Sequence, residues 1–320
     1  MAFMFYCFFK EIIICLNRQN NIEHFNKIHY SKTKLMKRKE SLINFHKSKA
    51  NDKYKKCYLP LDESNMKIIH LIITRFLLEF FILNDFPKKL YNEKYIPNAI
   101  RVMKKYLFPS LEKQSCKDFI WILLLGNKAN ITYIKSLFNF NFSFKISVIY
   151  KKEFKKYLKN ITKGFNILIT TRYDYDDRIY YDAVNDVRKS ININKPMLLF
   201  GYNRGLYYFE KNDKYYEYYY NFKNKGVMSI FISLVVVLNK VNDTYTIYDL
   251  GDHRYIKKEL KKKYKSFGIK EMNYDPSVFD SGSPKFVWVR QNYSGYYKET
   301  EKVINNSKAI NFNLNKFYGE

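Results

Sequence analysis

A cluster of acidic residues directly follows an apolar, strand-like segment near the middle of the chain. The segment ITTRYDYDDRIYYDAV (169–184) places Asp174, Asp176 and Asp177 within four positions, although the chain carries a formal net charge of +27. Residues two apart on an extended segment point the same way, so Asp174 and Asp176 can share a target while Asp177 faces elsewhere or caps the next helix. Two carboxylates held together repel each other unless a cation lies between them.

The chemistry of these side chains predicts which cation they would hold. Carboxylate oxygens are hard ligands that favour Mg²⁺ or Mn²⁺, and such ions commonly complete their coordination shell with substrate phosphates. The sequence therefore predicts a site for Mn²⁺ or Mg²⁺ that also holds a diphosphate.

Two other interpretations of the acidic cluster compete with this one. The same residues could form a solvated loop that caps the following helix, and a bare DxD pattern is common by chance. An EF-hand calcium loop is excluded, because the sixth position from Asp174 is Ile179 rather than glycine. The position favours a ligand site, since ligands in open α/β sheets bind beyond the carboxyl ends of the strands.

The segments around the cluster alternate between apolar strands and helices. Strands are predicted at 67–76, 118–126, 144–150 and 165–171, and helices at 96–114, 131–138, 152–161 and 179–191. Pro109 is expected to kink or split the first helix. Four strand–helix units in succession predict an α/β fold with a mainly parallel sheet and helices on both faces.

The alternation stops after residue 195. We predict a hairpin over 196–210 that turns at 203–205, strands over 228–238, 243–250 and 284–293, and a helix over 252–267. Residues 61–320 are expected to form one domain behind a tail of residues 1–60.

The tail differs from the domain in composition. Residues 1–16 are apolar but contain Lys10 and Glu11, which makes them too short and too charged for a spanning helix, and no signal-peptide cleavage site follows. Residues 27–57 hold eleven Lys or Arg and only two acids. They form either a solvated tail or, with the apolar start, a peripheral contact of residues 1–57 with an anionic membrane. The expected location is the cytoplasm, with membrane contact that is peripheral at most.

The overall composition limits the class of protein. Hydrophobic residues make up 47% of the chain, which excludes a disordered protein. The abundance of Lys, Asn, Ile and Tyr is typical of an AT-rich genome, so the positive charge alone is weak support for nucleic-acid binding. We expect no specific nucleic-acid partner.

Together with three other blocks, the acidic segment resembles the rhamnosyltransferase family, a group of GT-A-type glycosyltransferases with a T-x-R-x-D-x-D-D core. The blocks are LIITRF (71–76), LFPSLEKQSCKDFIWILLLG (107–126) and TIYDLGDHRYIKK (246–258). The resemblance implies a GT-A-like nucleotide-diphospho-sugar transferase fold, a nucleotide-sugar donor and a glycan or other hydroxyl acceptor.

The resemblance also implies a role for each matching residue. The implied metal ligands are Asp174, Asp176, Asp177 and His253. The residues implied to bind the nucleotide or its diphosphate are Thr74, Arg75, Arg172 and Asp174. The acceptor hydroxyl needs a general base, for which the candidates are Asp249, Asp252 and Glu210. We prefer Asp249 and Asp252, because they flank the predicted strand end near His253.

Three rival functions use other features of the chain. A nucleotidyltransferase also uses paired aspartates and a metal, but it usually has a glycine-rich phosphate loop after the first strand, where this chain has Thr74-Arg75-Phe76. A nucleic-acid binder could use the lysines of KKELKKKYK (257–265) and stack bases on tyrosines. A catalytically silent relative that serves in assembly is the third alternative.

Overall fold

The computed structural model describes residues 66–76, 95–138, 141–219, 231–241, 243–251, 256–266, 277–279, 283–290 and 309–319. The predicted tail, residues 1–60, lies outside these ranges, as do Asp252 and His253. Among the helices in the described ranges, none is long and apolar enough to span a membrane.

The described residues form strands and helices in the following chain order: β1 (Ile68–Phe76), α1 (Tyr95–Lys105), α2 (Leu107–Glu112), β2 (Ile120–Leu125), α3 (Ile131–Leu137), β3 (Lys145–Tyr150), α4 (Lys151–Ile161), β4 (Ile167–Arg172), β5 (Arg178–Ile179), α5 (Ala183–Lys189), β6 (Met197–Tyr202), β7 (Arg204–Phe209), β8 (Lys214–Tyr219), β9 (Ile232–Val237), α6 (Ile256–Ser266), β10 (Ser277–Phe279), β11 (Phe286–Arg290), β12 (Ala309–Ile310) and α7 (Leu314–Phe317). Short 3₁₀ helices occupy Leu238–Lys240 and Ile247–Leu250.

Two sheets are built from these strands. Over the described residues, the larger sheet has seven strands in the order β10-β6-β9-β4-β1-β2-β3, and the smaller has five in the order β12-β8-β7-β11-β5. In the larger sheet β9 runs antiparallel to β4 and β6, and the other neighbouring pairs are parallel. This mixed, mainly parallel sheet with helices on both faces confirms the predicted fold class.

The two faces of the larger sheet bury separate cores. Even-numbered side chains of β1, such as Ile72 and Phe76, pack with α1, α2, α3 and α5. Odd-numbered ones, such as Leu71 and Ile73, pack with α4, α6 and the 3₁₀ helix Ile247–Leu250. Because both faces are covered, the central strands are apolar at nearly every position rather than at alternate positions.

Pro109 splits the first predicted helix, as expected. The break lies at Tyr106, between α1 and α2, three residues before the proline. Proline has no N–H to donate to the carbonyl four residues earlier, and its ring clashes with that carbonyl. The chain therefore leaves the helical conformation ahead of Pro109 and resumes it at Leu107.

Two predictions for the second half of the chain are wrong. Residues 196–210 form no hairpin, since β6 pairs with β9 in the larger sheet and β7 pairs with β8 and β11 in the smaller one. Gly205 lets β7 lie close to β11, because a Cβ at this position would collide with the ring of Phe286 on β11. Residues 243–250 form no strand in the structure, and Ile247–Leu250 is a 3₁₀ helix instead.

A buried polar chain crosses three strands of the larger sheet. His70 Nε2 lies 2.7 Å from Thr171 Oγ1, and Thr171 Oγ1 lies 2.7 Å from Ser233 Oγ. Burial holds the pKa of His70 well below its usual value of 6.5, and the charge of Arg188 lowers it further. The imidazole is therefore neutral in the folded protein.

We expect the free energy of unfolding to fall as the pH drops below about 6.5, because the unfolded chain protonates His70 and the folded protein does not. The contribution is at most about 1.4 kcal/mol per pH unit. Urea unfolding at pH 5, 6, 7 and 8 measures it. His70→Gln should show a shallower dependence, and the other four histidines, kept in both proteins, cancel in the comparison. Equal slopes for the two proteins would contradict this account of His70.

Candidate active site

The register of β1 and β4 gathers three of the predicted site residues on one face of the sheet. Ile73 and Arg172 are paired directly across these parallel strands. Paired residues share a face, so Arg75, two residues beyond Ile73, lies on the same face as Arg172. Asp174, two residues beyond Arg172, reaches back to that arginine. All three lie at the carboxyl edge of the sheet, where the sequence places the ligand.

Arg172 and Asp174 form an ion pair. Arg172 Nη2 donates to Asp174 Oδ2 at 3.2 Å, and Arg172 Nε donates to Asp174 Oδ1 at 3.4 Å. Typical charge-assisted hydrogen bonds are about 2.7–2.9 Å long, so this pair is loose. The side chain of Arg172 is 14% exposed and that of Asp174 is 34% exposed. A ligand can therefore reach the carboxylate from solvent while the guanidinium is held against the sheet.

Tyr248 is a site residue that the sequence analysis did not identify. Its hydroxyl donates to the carbonyl oxygen of Ile73 at 3.0 Å, and the guanidinium carbon of Arg75 lies 4.9 Å from its ring centroid. Burial raises the pKa of the Tyr248 phenol, and the positive charges of Arg75 and Arg172 lower it only in part. The Tyr248 hydroxyl is therefore protonated and the side chain is neutral. Its ring contacts the guanidinium of Arg75 through a cation–π interaction.

The 3₁₀ helix that carries Tyr248 is fixed by its own first turn. Thr246 and Asp249 form a capping box, in which Asp249 Oδ2 accepts hydrogen bonds from Thr246 N and Thr246 Oγ1, both at 2.8 Å. Ile247 N donates to Thr170 Oγ1 on β4 at 2.8 Å. The pattern Thr-x-x-Asp could have predicted a helix start here. The alternation of polar and apolar residues in DTYTIYDL favoured a strand instead.

Asp177 is turned away from Asp174. Its side chain is only 3% exposed, and its Oδ1 accepts a hydrogen bond from Val289 N on β11 at 3.2 Å. Tyr173 OH also donates to the Asp177 carbonyl at 3.1 Å. This geometry matches the expectation that Asp177 faces elsewhere. It corrects the role implied by the resemblance, because a buried carboxylate that ties β5 to β11 is a structural residue.

Asp176 lies in a turn rather than on an extended segment. Residues 175 and 176 form a turn, after which the chain enters the smaller sheet through β5. Within the described part of the chain, no three His, Cys, Asp or Glu side chains come together in a way that could hold a metal. The expected three-acid cluster is therefore not formed there. Asp174 and Asp176 remain the two acids for which a metal role is a prediction.

Thr74 is an interior residue rather than a ligand-facing one. It is 0% exposed, and its Oγ1 accepts a hydrogen bond from Trp121 Nε1 on β2 at 3.0 Å. Its position on β1 alternates with that of Arg75, so it faces the opposite core. We therefore correct the nucleotide-binding role implied for Thr74.

The candidates for a general base are placed as follows. Asp249 is exposed but engaged in the capping box with Thr246. Glu210 directly follows β7 of the smaller sheet and accepts hydrogen bonds from Lys105 Nζ and Tyr106 OH, each at 2.6 Å. Partial burial raises the pKa of Glu210, but these two bonds outweigh it and the pKa is lowered. A carboxylate with a lowered pKa is a weak base, so Glu210 is poorly suited to act as the general base. Asp252 and the expected metal ligand His253 lie outside the described residues.

Comparison with known protein families identifies the family of this chain. The model of the family described as "Putative rhamnosyl transferase" matches residues 83–262, more than half of the chain. The chain belongs to this family. It is therefore a glycosyltransferase, as the motif set around Asp174 predicted. The match spans the carboxyl-edge residues Arg172, Asp174 and Tyr248 and ends within α6.

Comparison with solved structures and curated proteins adds little. The inositol-1-phosphate CTP transferase from T. maritima is 11% identical, with 70% of this chain and 86% of that chain covered at a TM-score of 0.29. A "Putative Glucose-1-Phosphate Thymidylyltransferase" from Bacillus anthracis is also 11% identical, with 77% and 97% covered at a TM-score of 0.33. Similarity at these TM-scores supports no inference about this chain. No curated protein matches it.

Replacing Thr74 by Val should destabilise the protein and leave nucleotide binding unchanged. Valine has nearly the same shape but offers Trp121 Nε1 no acceptor, which costs about 1–3 kcal/mol. Urea unfolding measures the free-energy change, and calorimetric titration with nucleoside diphosphates measures binding. Thr74→Ser, which keeps the hydroxyl, is the control. A stable Thr74→Val protein with weakened nucleotide binding would restore the role that the resemblance implies.

Proposed function

We propose that the protein is a metal-dependent glycosyltransferase that moves a hexose, such as rhamnose, from a nucleotide-sugar donor to a hydroxyl of a glycan. The observation that carries this proposal is the convergence of Arg75, Arg172 and Asp174 at the carboxyl edge, in a chain of the rhamnosyl transferase family. The proposal specifies donor, acceptor and metal, which family membership leaves open.

The two arginines supply the positive charge that a diphosphate needs. They lie on neighbouring strands and on the same face, and each has a support of its own: Asp174 for Arg172 and the ring of Tyr248 for Arg75. A guanidinium presents several N–H donors in a fixed plane, which suits the oxygens of a phosphate. Fixed donors need no reorganisation as negative charge grows on the leaving diphosphate, so they lower the barrier.

The residues at this edge fit a divalent cation that is held partly by the substrate. Mg²⁺ and Mn²⁺ sites in phosphate-handling enzymes typically use one or two carboxylates together with phosphate oxygens. Asp174, a third exposed, and Asp176, in the adjacent turn, would supply those carboxylates, with His253 as a further ligand. When bound, the cation neutralises charge on the diphosphate.

The reaction itself needs a base at the acceptor. The acceptor oxygen forms a bond to the anomeric carbon as the bond from that carbon to the diphosphate breaks, and the acceptor proton passes to a carboxylate. Asp252 and Asp249 are the candidates. Since Asp249 is bound in the capping box of its helix, we place Asp252 first.

A panel of nucleotide sugars, assayed for nucleoside diphosphate release with Mn²⁺ or Mg²⁺, tests the proposal. Asp174→Asn and Asp176→Asn should each lower turnover about 100-fold or more, since losing a metal ligand removes several kcal/mol of charge stabilisation. Both should also weaken Mn²⁺-dependent nucleoside diphosphate binding in calorimetric titration. Asp252→Asn should lower turnover and leave that binding intact.

Asp243→Asn is the matched control. Asp243 is exposed and follows the carboxyl end of the antiparallel strand β9, so it lies at the opposite edge of the sheet. This variant should behave as the unmodified protein does. Full activity in Asp176→Asn would remove that residue from the metal site. Full activity and unchanged nucleotide binding in Asp174→Asn would contradict the proposed site as a whole.

A further inference from the structure

Two lysine-rich helices cover the same face of the larger sheet. α4 packs inward through Phe154 and Leu158, and α6 packs inward through Ile256, Leu260 and Tyr264. Between them runs the segment before the 3₁₀ helix: Val241 and Asp243 lie beside Lys159 of α4, and Tyr245 lies with its ring centroid 4.5 Å from Lys263 Nζ of α6. The outward sides of the two helices therefore belong to one surface of the domain.

Exposed lysines dominate this surface, which we call the lysine face. The exposed lysines of α4 and α6 are Lys151, Lys152, Lys155, Lys156, Lys159, Lys258, Lys261, Lys262 and Lys265. Within the described part of the two helices, the acids are Glu153 and Glu259 alone, and Glu259 is paired with Lys262 at 2.5 Å. On α6 the lysines recur at intervals of three and four residues, which places them along one side of the helix.

We propose that the lysine face docks on the anionic surface of a phospholipid membrane. Lysine ammonium groups near an anionic bilayer act as additive point charges, and each gains affinity by attraction to the lipid headgroups. The apolar positions of both helices are occupied by the sheet, so the contact is electrostatic and peripheral. This surface is distinct from residues 1–57, and the proposal does not rest on the reaction that the protein catalyses.

The side chains of these helices favour a membrane over a single-stranded nucleic acid. Single-strand binding combines positive charge with aromatic rings on which the bases stack. The two tyrosines of α4 and α6 are engaged with the domain instead. Tyr157 OH lies 2.8 Å from Ser147 Oγ, and the buried Tyr264 donates its hydroxyl to the Met197 carbonyl. Because the tyrosines of both helices are held by the domain, the lysines are left as the main feature of these helices, which suits a surface of diffuse negative charge.

The lysine face also reaches the edge that carries the candidate active site. α4 starts at Lys151, immediately after β3 ends at Tyr150, and β3 ends at the same edge as β1 and β4. Docking through the lysine face would therefore set the carboxyl edge alongside the bilayer surface and leave it uncovered.

Vesicle binding of the full-length chain tests the proposal. Sedimentation with phosphatidylserine–phosphatidylcholine vesicles should show binding that weakens as salt increases, and pure phosphatidylcholine vesicles should bind much less. The variant Lys155→Gln/Lys159→Gln/Lys261→Gln/Lys265→Gln should lose affinity for anionic vesicles by roughly fivefold per lysine, or more than about 100-fold in total. Its circular dichroism spectrum and its urea unfolding midpoint should match those of the unmodified protein, which shows that it is folded.

The matched control removes the same charge elsewhere. Lys113, Lys135, Lys211 and Lys316 are exposed and lie outside α4 and α6, so their replacement by Gln should change vesicle affinity far less. Equal losses in the two variants would show a general charge effect and overturn the proposal. Unchanged binding in the helix variant would also overturn it. A helix variant that loses affinity for a single-stranded RNA but keeps vesicle binding would assign the lysine face to nucleic acid instead.

Discussion

The register between β1 and β4 is the constraint on which the candidate site depends. Direct pairing of Ile73 with Arg172 brings together two segments that are almost a hundred residues apart in the chain. Both strands are buried on both faces, and a slip by one residue would move every side chain to the opposite core. The same packing that stabilises the sheet therefore fixes Arg75 and Arg172 on one face at its carboxyl edge.

The two arginines at this edge are each held by a neighbouring side chain. Asp174 forms an ion pair with Arg172, and the uncharged ring of Tyr248 contacts Arg75. The Tyr248 hydroxyl in turn donates a hydrogen bond to β1. Both arginines are thus held in place before any ligand arrives, which reduces the entropy lost on binding a diphosphate. Nine exposed lysines, by comparison, lie on α4 and α6. Among the described residues, the exposed lysines of these two helices and the acids that follow β4 therefore lie on different parts of the molecule.

Much of the fold follows from local patterns in the sequence. Continuous apolar runs predicted β1 to β4, and Pro109 predicted the break before α2, because both signals act through residues close in the chain. The smaller sheet was missed, since β8 was not predicted and β7 also pairs with the distant strand β11. The apparent hairpin over 196–210 is divided between the two sheets for the same reason.

The site was predicted in the same uneven way. Arg75, Arg172 and Asp174 could be placed together because parallel strands end at a common edge. The sequence did not show that Thr74 and Arg75 have different roles, because that depends on which face of β1 packs against Trp121. Asp177 was assigned to the metal site because it is next to Asp176 in the sequence. In the structure its carboxylate accepts a hydrogen bond from Val289, which is 112 residues away in the chain. Tyr248 was overlooked because its segment alternates like a strand.

A crystal structure of the protein with Mn²⁺ and a nucleoside diphosphate would test the central claim most directly. Anomalous scattering would locate the metal, and difference density would locate the diphosphate. The account predicts Mn²⁺ bound to a carboxylate oxygen of Asp174, at about the 2.0–2.2 Å typical of such hard cations. It also predicts phosphate oxygens within hydrogen-bond distance of Arg75 and Arg172. A diphosphate bound at the opposite edge of the sheet, or a metal bound away from Asp174, would contradict it.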